Sequence, residues 1–159
     1  MASKRSARSS HLKPESLKNL RHQIDRLDRD VLKLINERAS LASRIGSVKN
    51  ESGLEIYSPG REEEILTGVL QHNPGPLSEQ CVRAIFGELM SGSRALQKVL
   101  KIAYLGPQYS FSHLAAIEKF GHSVEHIPVG SIQAVFEEVN RGHVDFGLVP
   151  VENSTDGRI

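Results

Sequence analysis

The chain has no tryptophan and a single cysteine, Cys81, among its 159 residues. One cysteine excludes a disulfide framework within the chain and fits a reducing compartment, so we expect a cytoplasmic protein. The net charge is only +1, from 20 basic and 19 acidic residues, which gives no sign of a nucleic-acid-binding surface. No apolar run approaches the roughly 20 residues needed to cross a bilayer. We therefore expect neither a nucleic-acid partner nor a membrane partner.

The first ten residues, MASKRSARSS, are basic and small and include no acidic side chain. A transit peptide has a similar composition, but this stretch is short and lacks an apolar face. We expect residues 1–12 to form a disordered basic tail.

Residues 13–99 carry a helical apolar pattern that predicts an all-α domain of three helices. The first helix spans about residues 14–51, and its apolar stripe continues without a break. Two short helices do not cover so long a stripe, so we expect the helix to pair with a second copy of the chain. Ser58 and Pro59 are predicted as the N-cap and first position of the second helix. The third is expected over residues 77–98.

From Lys101 onwards, short apolar runs alternate with helical segments. KIAYLG, SVEHIPVG and VDFGLVPVEN predict strands, and SFSHLAAIEKFG and SIQAVFEEVNRG predict the helices between them. This β-α-β-α-β order is typical of a parallel sheet with helices on its faces. Open α/β sheets bind ligands beyond the carboxyl ends of their strands, and the sequence stops soon after such a strand. We expect residues 100–159 to be the first portion of a larger lobe, with exposed apolar edge surface.

Two cations lie in the middle of the apolar stripe of the first helix. On a helical wheel of about 100° per residue, the apolar residues of the stripe lie within about 40° of Arg38. Lys49 lies about 20° from Arg38 on the same wheel. Buried cations are costly unless they are paired. One interpretation is a buried salt bridge, for which the candidate counter-ions are Glu37, Glu62, Glu63 and Glu64.

Other polar residues favour a ligand pocket instead. Ser93 and Gln97 lie four apart on or beside the apolar face of the third helix, and Arg61 and Glu62 open the second. Arg21 lies off the main stripe, where it would reach a neighbouring chain. Such a pocket suits a small polyanion whose carboxylates are held by arginine forks.

The helical part has no nucleophile–histidine pair, no Cys/His metal spacing and no glycine-rich phosphate loop. We expect no metal ion and no cofactor. An enzyme built from this pocket would work by holding a conformation and stabilising developing charge.

The segments LRHQIDRLDRDVLKLINERASLASRIGSVK, REEEIL and SGSRALQ resemble the all-helical chorismate mutases over residues 17–98. IAYLGPQYSFSHLAA and GLVPVENSTDG resemble the start of prephenate dehydratase. A helical mutase followed directly by a dehydratase is the arrangement of the bifunctional enzyme of phenylalanine biosynthesis. The resemblance implies a three-helix, intertwined homodimer that binds chorismate. It also implies that the second part begins a periplasmic-binding-protein-like α/β lobe.

The same resemblance implies roles for the cations and the amide. Arg38 would hold one chorismate carboxylate, and Arg21 would reach into the partner copy's site to hold the other. Lys49 and Gln97 would donate to the ether oxygen, where negative charge builds as the C–O bond breaks. Because a neutral Gln97 donates at any pH, we expect no loss of activity from this group at neutral or basic pH.

Four further residues complete the implied site. Glu62 would accept from the ring hydroxyl, while Arg61 and Ser93 support binding. The family commonly has aspartate at the position of Ser58, where a serine hydroxyl can still form a hydrogen bond.

In the second part, we interpret GPQYSFSH as a structural turn, and His113 as a hydrogen-bonding residue at a helix start rather than a catalyst. PVENSTDG fits either a functional loop or a turn and helix cap. By resemblance, Glu152, Asn153 and Ser154 lie near the dehydratase cleft. The family's catalytic Thr-Arg-Phe/Tyr motif has no counterpart before Ile159, so we expect these residues to lack dehydratase activity.

Two other functions stay open on the sequence. Isochorismate pyruvate lyase activity occurs on related helical folds and uses a near-identical dianion. A non-catalytic dimerisation module would explain the long helix. Such a module would have no need of Arg38, Lys49, Ser93 and Gln97 together.

Overall fold

The computed structural model describes residues 16–153 and 157–158, so the predicted tail and Ser154 lie outside the described residues. Three helices come first: α1, Leu17–Glu51; α2, Pro59–Gln71; and α3, Glu79–Ala95. The three predicted helices are confirmed, although α3 ends three residues before the predicted boundary.

Helix α1 has 35 residues, no proline and one glycine, Gly46, so little interrupts its backbone hydrogen bonds. The helix ends at Glu51, Gly53 follows with a left-handed φ of +65°, and the Leu54 amide donates to the Lys49 carbonyl at 2.9 Å. Despite this length, none of the described helices is apolar enough to cross a membrane.

By its internal contacts the chain divides into two compact units, Met1–Asn36 and Glu37–Ile159. The described part of the first unit is the beginning of α1. Its apolar side chains are 41% to 63% exposed at Leu20, Ile24, Leu27, Val31 and Leu34. A single copy of the chain thus leaves uncovered a long apolar stripe of the kind that marks an association surface.

Serine side chains begin three of the later helices. Ser78, Ser110 and Ser131 each accept a hydrogen bond from the backbone amide three residues on, at 3.1 to 3.3 Å. Ser58 is the N-cap of α2 with Pro59 at its first position, as predicted, but the Ser58 side chain makes no capping bond.

The α/β part has the predicted order. Its elements are β1, Lys101–Leu105; α4, Phe111–Phe120; β2, Glu125–Val129; α5, Ile132–Asn140; and β3, Phe146–Leu148. The three strands are parallel in the order β2-β1-β3, so β1 is the central strand. The parallel sheet is therefore confirmed.

A short antiparallel pair follows the sheet, with β4 at Glu152–Asn153 and β5 at Gly157–Arg158. The residues of PVENSTDG that the structure describes after Val151 are extended, so they form no helix, and both interpretations of this stretch stay predictions. The backbone returns on itself as extended chain, whose amide and carbonyl groups pair between the two segments.

Successive residues of β1 face opposite sides of the sheet and build two cores. Ile102 and Tyr104 belong to the larger core, which also contains Leu100, Ala116, Phe120 and Tyr57. Ala103 faces the other side with Val135 and Val144. Because Tyr57 comes from the segment between α1 and α2, the larger core joins the helical part to the sheet.

Helix α3 is covered unevenly in a single copy of the chain. In one copy Ile85 is 45% exposed and Leu96 is 63% exposed, whereas Ser91, Ser93 and Arg94 are buried. The side of α3 that carries Ser91 lies against the segment after α4, where the Ser123 amide donates to Ser91 Oγ at 3.2 Å.

Candidate active site

A cavity of about 410 Å³ lies among residues of all three N-terminal helices. This volume is in the range of small-molecule sites. Six of the residues predicted from the sequence line it: Arg38, Lys49, Arg61, Glu62, Ser93 and Gln97. Apolar side chains from α1, α2 and α3 supply much of the remaining wall.

Arg38 and Ser93 meet across α1 and α3. Arg38 Nη1 donates to Ser93 Oγ at 3.0 Å, and that hydroxyl donates in turn to the Leu89 carbonyl at 2.6 Å. The Ser93 oxygen thus accepts from the guanidinium and orients it. The Ser93 hydroxyl proton is donated within α3. The bond uses one of the five guanidinium N–H groups.

Lys49 is held by the segment that follows α1. Its Nζ donates to the carbonyl oxygens of Glu55 at 2.9 Å and Ile56 at 3.1 Å. An ammonium has three N–H groups. Two backbone carbonyls therefore fix the position of the ammonium and leave one N–H for another acceptor.

Gln97 reaches α1 because Gly46 has no side chain. Gln97 Nε2 donates to the Ala42 carbonyl at 3.0 Å, and a Cβ on Gly46 would overlap the Gln97 carboxamide. Sequence reasoning missed Gly46. A signal was present, since glycine inside a long helix is about 1 kcal/mol less favourable than alanine and calls for a packing reason.

Three of the four candidate counter-ions pair with other arginines: Glu62 with Arg94, Glu63 with Arg83 at 3.7 Å, and Glu64 with Arg61 at 2.8 Å. Arg38 and Lys49 instead donate to the neutral oxygens described above. The charged residues that line the cavity are four cations, Arg38, Lys49, Arg61 and Arg94, and one carboxylate, Glu62.

Sequence reasoning also missed Arg94, which is only 5% exposed, and Tyr57, over whose ring the Arg94 guanidinium lies. Arg94 is four residues after the buried Met90, so the wheel that identified Arg38 also puts this cation on an apolar face. Burial and the charge of Glu62 raise the pKa of Tyr57, while the charge of Arg94 opposes the rise.

The structure does not bring every predicted residue to the cavity. Ser58 is half-buried at the start of α2 and is not among the lining residues. Arg21 is exposed in the first unit. Glu152 and Asn153 contribute backbone to β4.

His113 behaves as predicted for a helix-start residue. It lies buried near the beginning of α4, its amide donates to Ser110 Oγ, and its Nδ1 accepts from the Tyr109 amide at 3.1 Å.

A helical cavity with several cations, one carboxylate and neutral hydrogen-bond donors has the chemistry that suits a small organic anion. Comparison with known proteins narrows this class. Residues 20–98 match the family model of chorismate mutase type II, and residues 102–159 match that of prephenate dehydratase.

Curated relatives carry both parts. The chain is 44% identical over 147 residues to a bifunctional chorismate mutase/prephenate dehydratase of Aquifex aeolicus, covering 90% of this chain and 41% of that protein. It is 44% identical over 150 residues to the protein of the same name from Pseudomonas aeruginosa, covering 91% of this chain and 41% of that protein. The chain thus spans about 41% of the length of these relatives.

A solved structure of chorismate mutase (form II) from Thermus thermophilus is 38% identical, with a TM-score of 0.52. The match covers 53% of this chain and 96% of that chain. The chain therefore belongs to the type II chorismate mutase family, and its mutase domain is followed by part of a prephenate dehydratase domain.

Proposed function

We propose that the chain converts chorismate to prephenate, a step of phenylalanine biosynthesis. The observation that carries this proposal is that Arg38, Lys49, Glu62 and Gln97 line one cavity of suitable size. The reaction is an intramolecular Claisen rearrangement, in which an ether C–O bond breaks while a C–C bond forms. No proton, water or nucleophile takes part, so the site has to hold a reactive conformation and stabilise charge.

Arg38 binds one of the two carboxylates of chorismate. Its bond to Ser93 orients the guanidinium before substrate arrives, and the remaining N–H groups offer the paired donors that suit a carboxylate. Because the carboxylate keeps its charge throughout the reaction, this interaction contributes to binding substrate and transition state alike.

Lys49 and Gln97 meet the charge that appears on the ether oxygen. Lys49 keeps one N–H beyond its two bonds to backbone carbonyls. Gln97 Nε2 donates to the Ala42 carbonyl at 3.0 Å and makes only a long contact with the Ser93 carbonyl at 3.5 Å, so we assign the N–H of this long contact to the substrate. Donors held in advance need little reorganisation as the C–O bond breaks, so they stabilise the transition state more than the substrate.

Glu62 accepts from the ring hydroxyl of the substrate through the carboxylate oxygen that Arg94 does not use. Arg61, whose guanidinium pairs with Glu64 on the exposed side of α2, adds positive potential at the cavity. A contact between Ser58 and this hydroxyl stays a prediction from the sequence, because Ser58 is not among the residues that line the cavity.

We further propose a homodimer in which Arg21 of each copy completes the other copy's site. The exposed apolar stripe at the beginning of α1 supports this, since pairing with a second α1 would cover it. Mixing Arg21→Ala chains with Arg38→Ala chains tests the proposal. Half of the dimers are then mixed and have one intact site of two, so about a quarter of the unmodified activity should return. No recovery in dimers shown to be mixed would contradict an Arg21 donated across the interface.

For the α/β part, we propose that these 159 residues alone do not turn over prephenate. The support is that the printed sequence contains no Thr-Arg-Phe or Thr-Arg-Tyr motif. Conversion of prephenate to phenylpyruvate faster than the uncatalysed blank would overturn this. The single cysteine supports a cytoplasmic location, which we also propose.

The decisive experiment follows chorismate loss and identifies the product by NMR. Prephenate supports the mutase, whereas release of pyruvate with an aromatic acid would indicate a lyase. Arg38→Ala should lose most of the activity, while Arg44→Ala, which changes an exposed arginine on the same helix, should not. If the unmodified chain, Arg38→Ala and Arg44→Ala all leave chorismate unchanged, a non-catalytic dimerisation module would be favoured.

A further inference from the structure

Arg94 is a buried arginine near the end of α3 whose guanidinium joins the cavity to the α/β part of the chain. Its Nη1 donates to Glu62 Oε1, and its Nη2 donates to the backbone carbonyl of Phe120 at 2.6 Å. Its Cζ lies 4.9 Å from the centroid of the Tyr57 ring. One side chain thus contacts a carboxylate of the cavity, a carbonyl at the end of α4 and the aromatic ring between them.

The Phe120 carbonyl is a fixed acceptor because packing holds the end of α4 against α3. The ring centroids of Phe120 and Tyr57 are 5.5 Å apart in the larger core. Gly121 follows with a φ of +77°, and a Cβ there would overlap the side chain of Ser91 on α3. The backbone therefore approaches α3 at a position that only glycine tolerates.

The same geometry restricts Glu62. Arg94 is only 5% exposed, so its guanidinium requires a counter-ion, and Glu62 Oε1 is the carboxylate oxygen that pairs with it. Because the other side of the guanidinium is tied to the Phe120 carbonyl, the ion pair holds Glu62 in one orientation. This leaves the second carboxylate oxygen as the acceptor for a ligand hydroxyl.

We propose that Arg94 is a positioning residue for the mutase reaction, which orients Glu62 toward the substrate from an anchor in the α/β part. The inference rests on the proposed function. Mutase activity then depends on how the end of α4 packs on α3. In this chain the α/β part therefore affects the mutase site through Arg94.

The test compares Arg94→Met with Arg83→Met in the full chain. Both substitutions remove an ion pair between α3 and α2, but the Arg83–Glu63 pair is exposed and outside the cavity. We expect kcat/KM for chorismate to fall about 10- to 100-fold for Arg94→Met, as when a hydrogen bond to a charged group is lost, and to stay unchanged for Arg83→Met.

A double-mutant cycle with Glu62→Gln separates positioning from general destabilisation. If Arg94 acts through Glu62, Arg94→Met lowers kcat/KM much less when Glu62 is already Gln. If Arg94→Met does not fold, as judged by thermal unfolding, Arg94→Lys keeps the buried charge and takes its place in the cycle.

Equal losses in both Glu62 backgrounds, or full activity of the Arg94 variants, would overturn the inference while the mutase function stands. An unmodified chain that leaves chorismate unchanged would overturn the proposed function and the inference together.

Discussion

Replacing Gly46 with alanine tests the most specific packing feature of the cavity. Gly46 is the buried residue of α1, and the methyl group of an alanine there would overlap the Gln97 carboxamide. The alanine cannot move without shifting α1, whereas the carboxamide lies at the end of a flexible side chain. We expect Gln97 to move and to lose its bond to the Ala42 carbonyl, now 3.0 Å long.

Gly46→Ala should change the stability of the chain little and its rate strongly. Alanine in place of a helical glycine stabilises by about 1 kcal/mol, and the lost Gln97 hydrogen bond costs about 1 kcal/mol, so the two nearly cancel. Loss of one preorganised donor at a developing charge lowers kcat by about 10²- to 10³-fold. Gly46→Ala should therefore be a folded chain with a severely reduced rate.

Steady-state kinetics with chorismate and thermal unfolding of the same samples measure both quantities. Gly87→Ala is the matched control, because this glycine lies inside α3 and a Cβ there would have no atom within 4 Å apart from its chain neighbours and the backbone of its own helix. The control should gain stability and keep its kcat. A Gly46→Ala chain with kcat within about twofold of the unmodified chain, at equal stability, would refute the assignment of Gln97.

Three further predictions concern pH and the larger core. The mutase rate should show no collapse between about pH 6 and pH 8, since Gln97 donates without titrating; a pH–rate profile that falls steeply there would contradict this. Burial alone would raise the pKa of Asp145, but the hydrogen bonds from the Lys98 side chain and the Lys101 amide outweigh it and hold this pKa below its usual value. Asp145→Asn should therefore lower the free energy of unfolding at pH 7, and its difference from the unmodified chain should disappear as the pH falls below about 4 in urea titrations. A difference that persists in acid would mean that Asp145 acts through packing. Tyr57→Phe should keep activity and should not lower the melting temperature, because the buried Tyr57 hydroxyl has no hydrogen-bond partner among the described residues. A clear fall in melting temperature would reveal a partner for that hydroxyl.

Periodicity was sufficient to predict the helices and the parallel sheet. The apolar spacing in α1 and the short runs around β1 each match one secondary-structure period, and the proline and glycine positions mark the boundaries. The same wheel identified Arg38 and Lys49, since a cation within an apolar stripe conflicts with the pattern around it.

Periodicity was not sufficient to predict contacts between elements. Arg94 lies on an apolar face, but its partners come from α2 and from the end of α4, which no local pattern relates to it. Tyr57 stands in a short connection with no periodicity of its own, yet it packs in the larger core. The role of Gly46 is likewise visible only when α3 is packed on α1, because this glycine leaves space for Gln97 at the end of α3.

The two cations in the apolar stripe of α1, Arg38 and Lys49, have different surroundings, and we assign them different tasks. Arg38 is oriented by a serine, and in the proposed reaction its paired N–H groups would hold a charge that the substrate already carries. Lys49 is held by two carbonyls, and in the proposed reaction its remaining N–H would meet a charge that exists only as the ether bond breaks. Removing Arg38 should therefore weaken substrate binding, whereas removing Lys49 should act on the chemical step.

Steady-state kinetics of Lys49→Ala with chorismate test this account most directly. We predict that prephenate formation continues to saturate with substrate while kcat falls by at least about 10²-fold and KM changes by less than about tenfold. A mild effect confined to KM would contradict the assignment of Lys49 to the transition state.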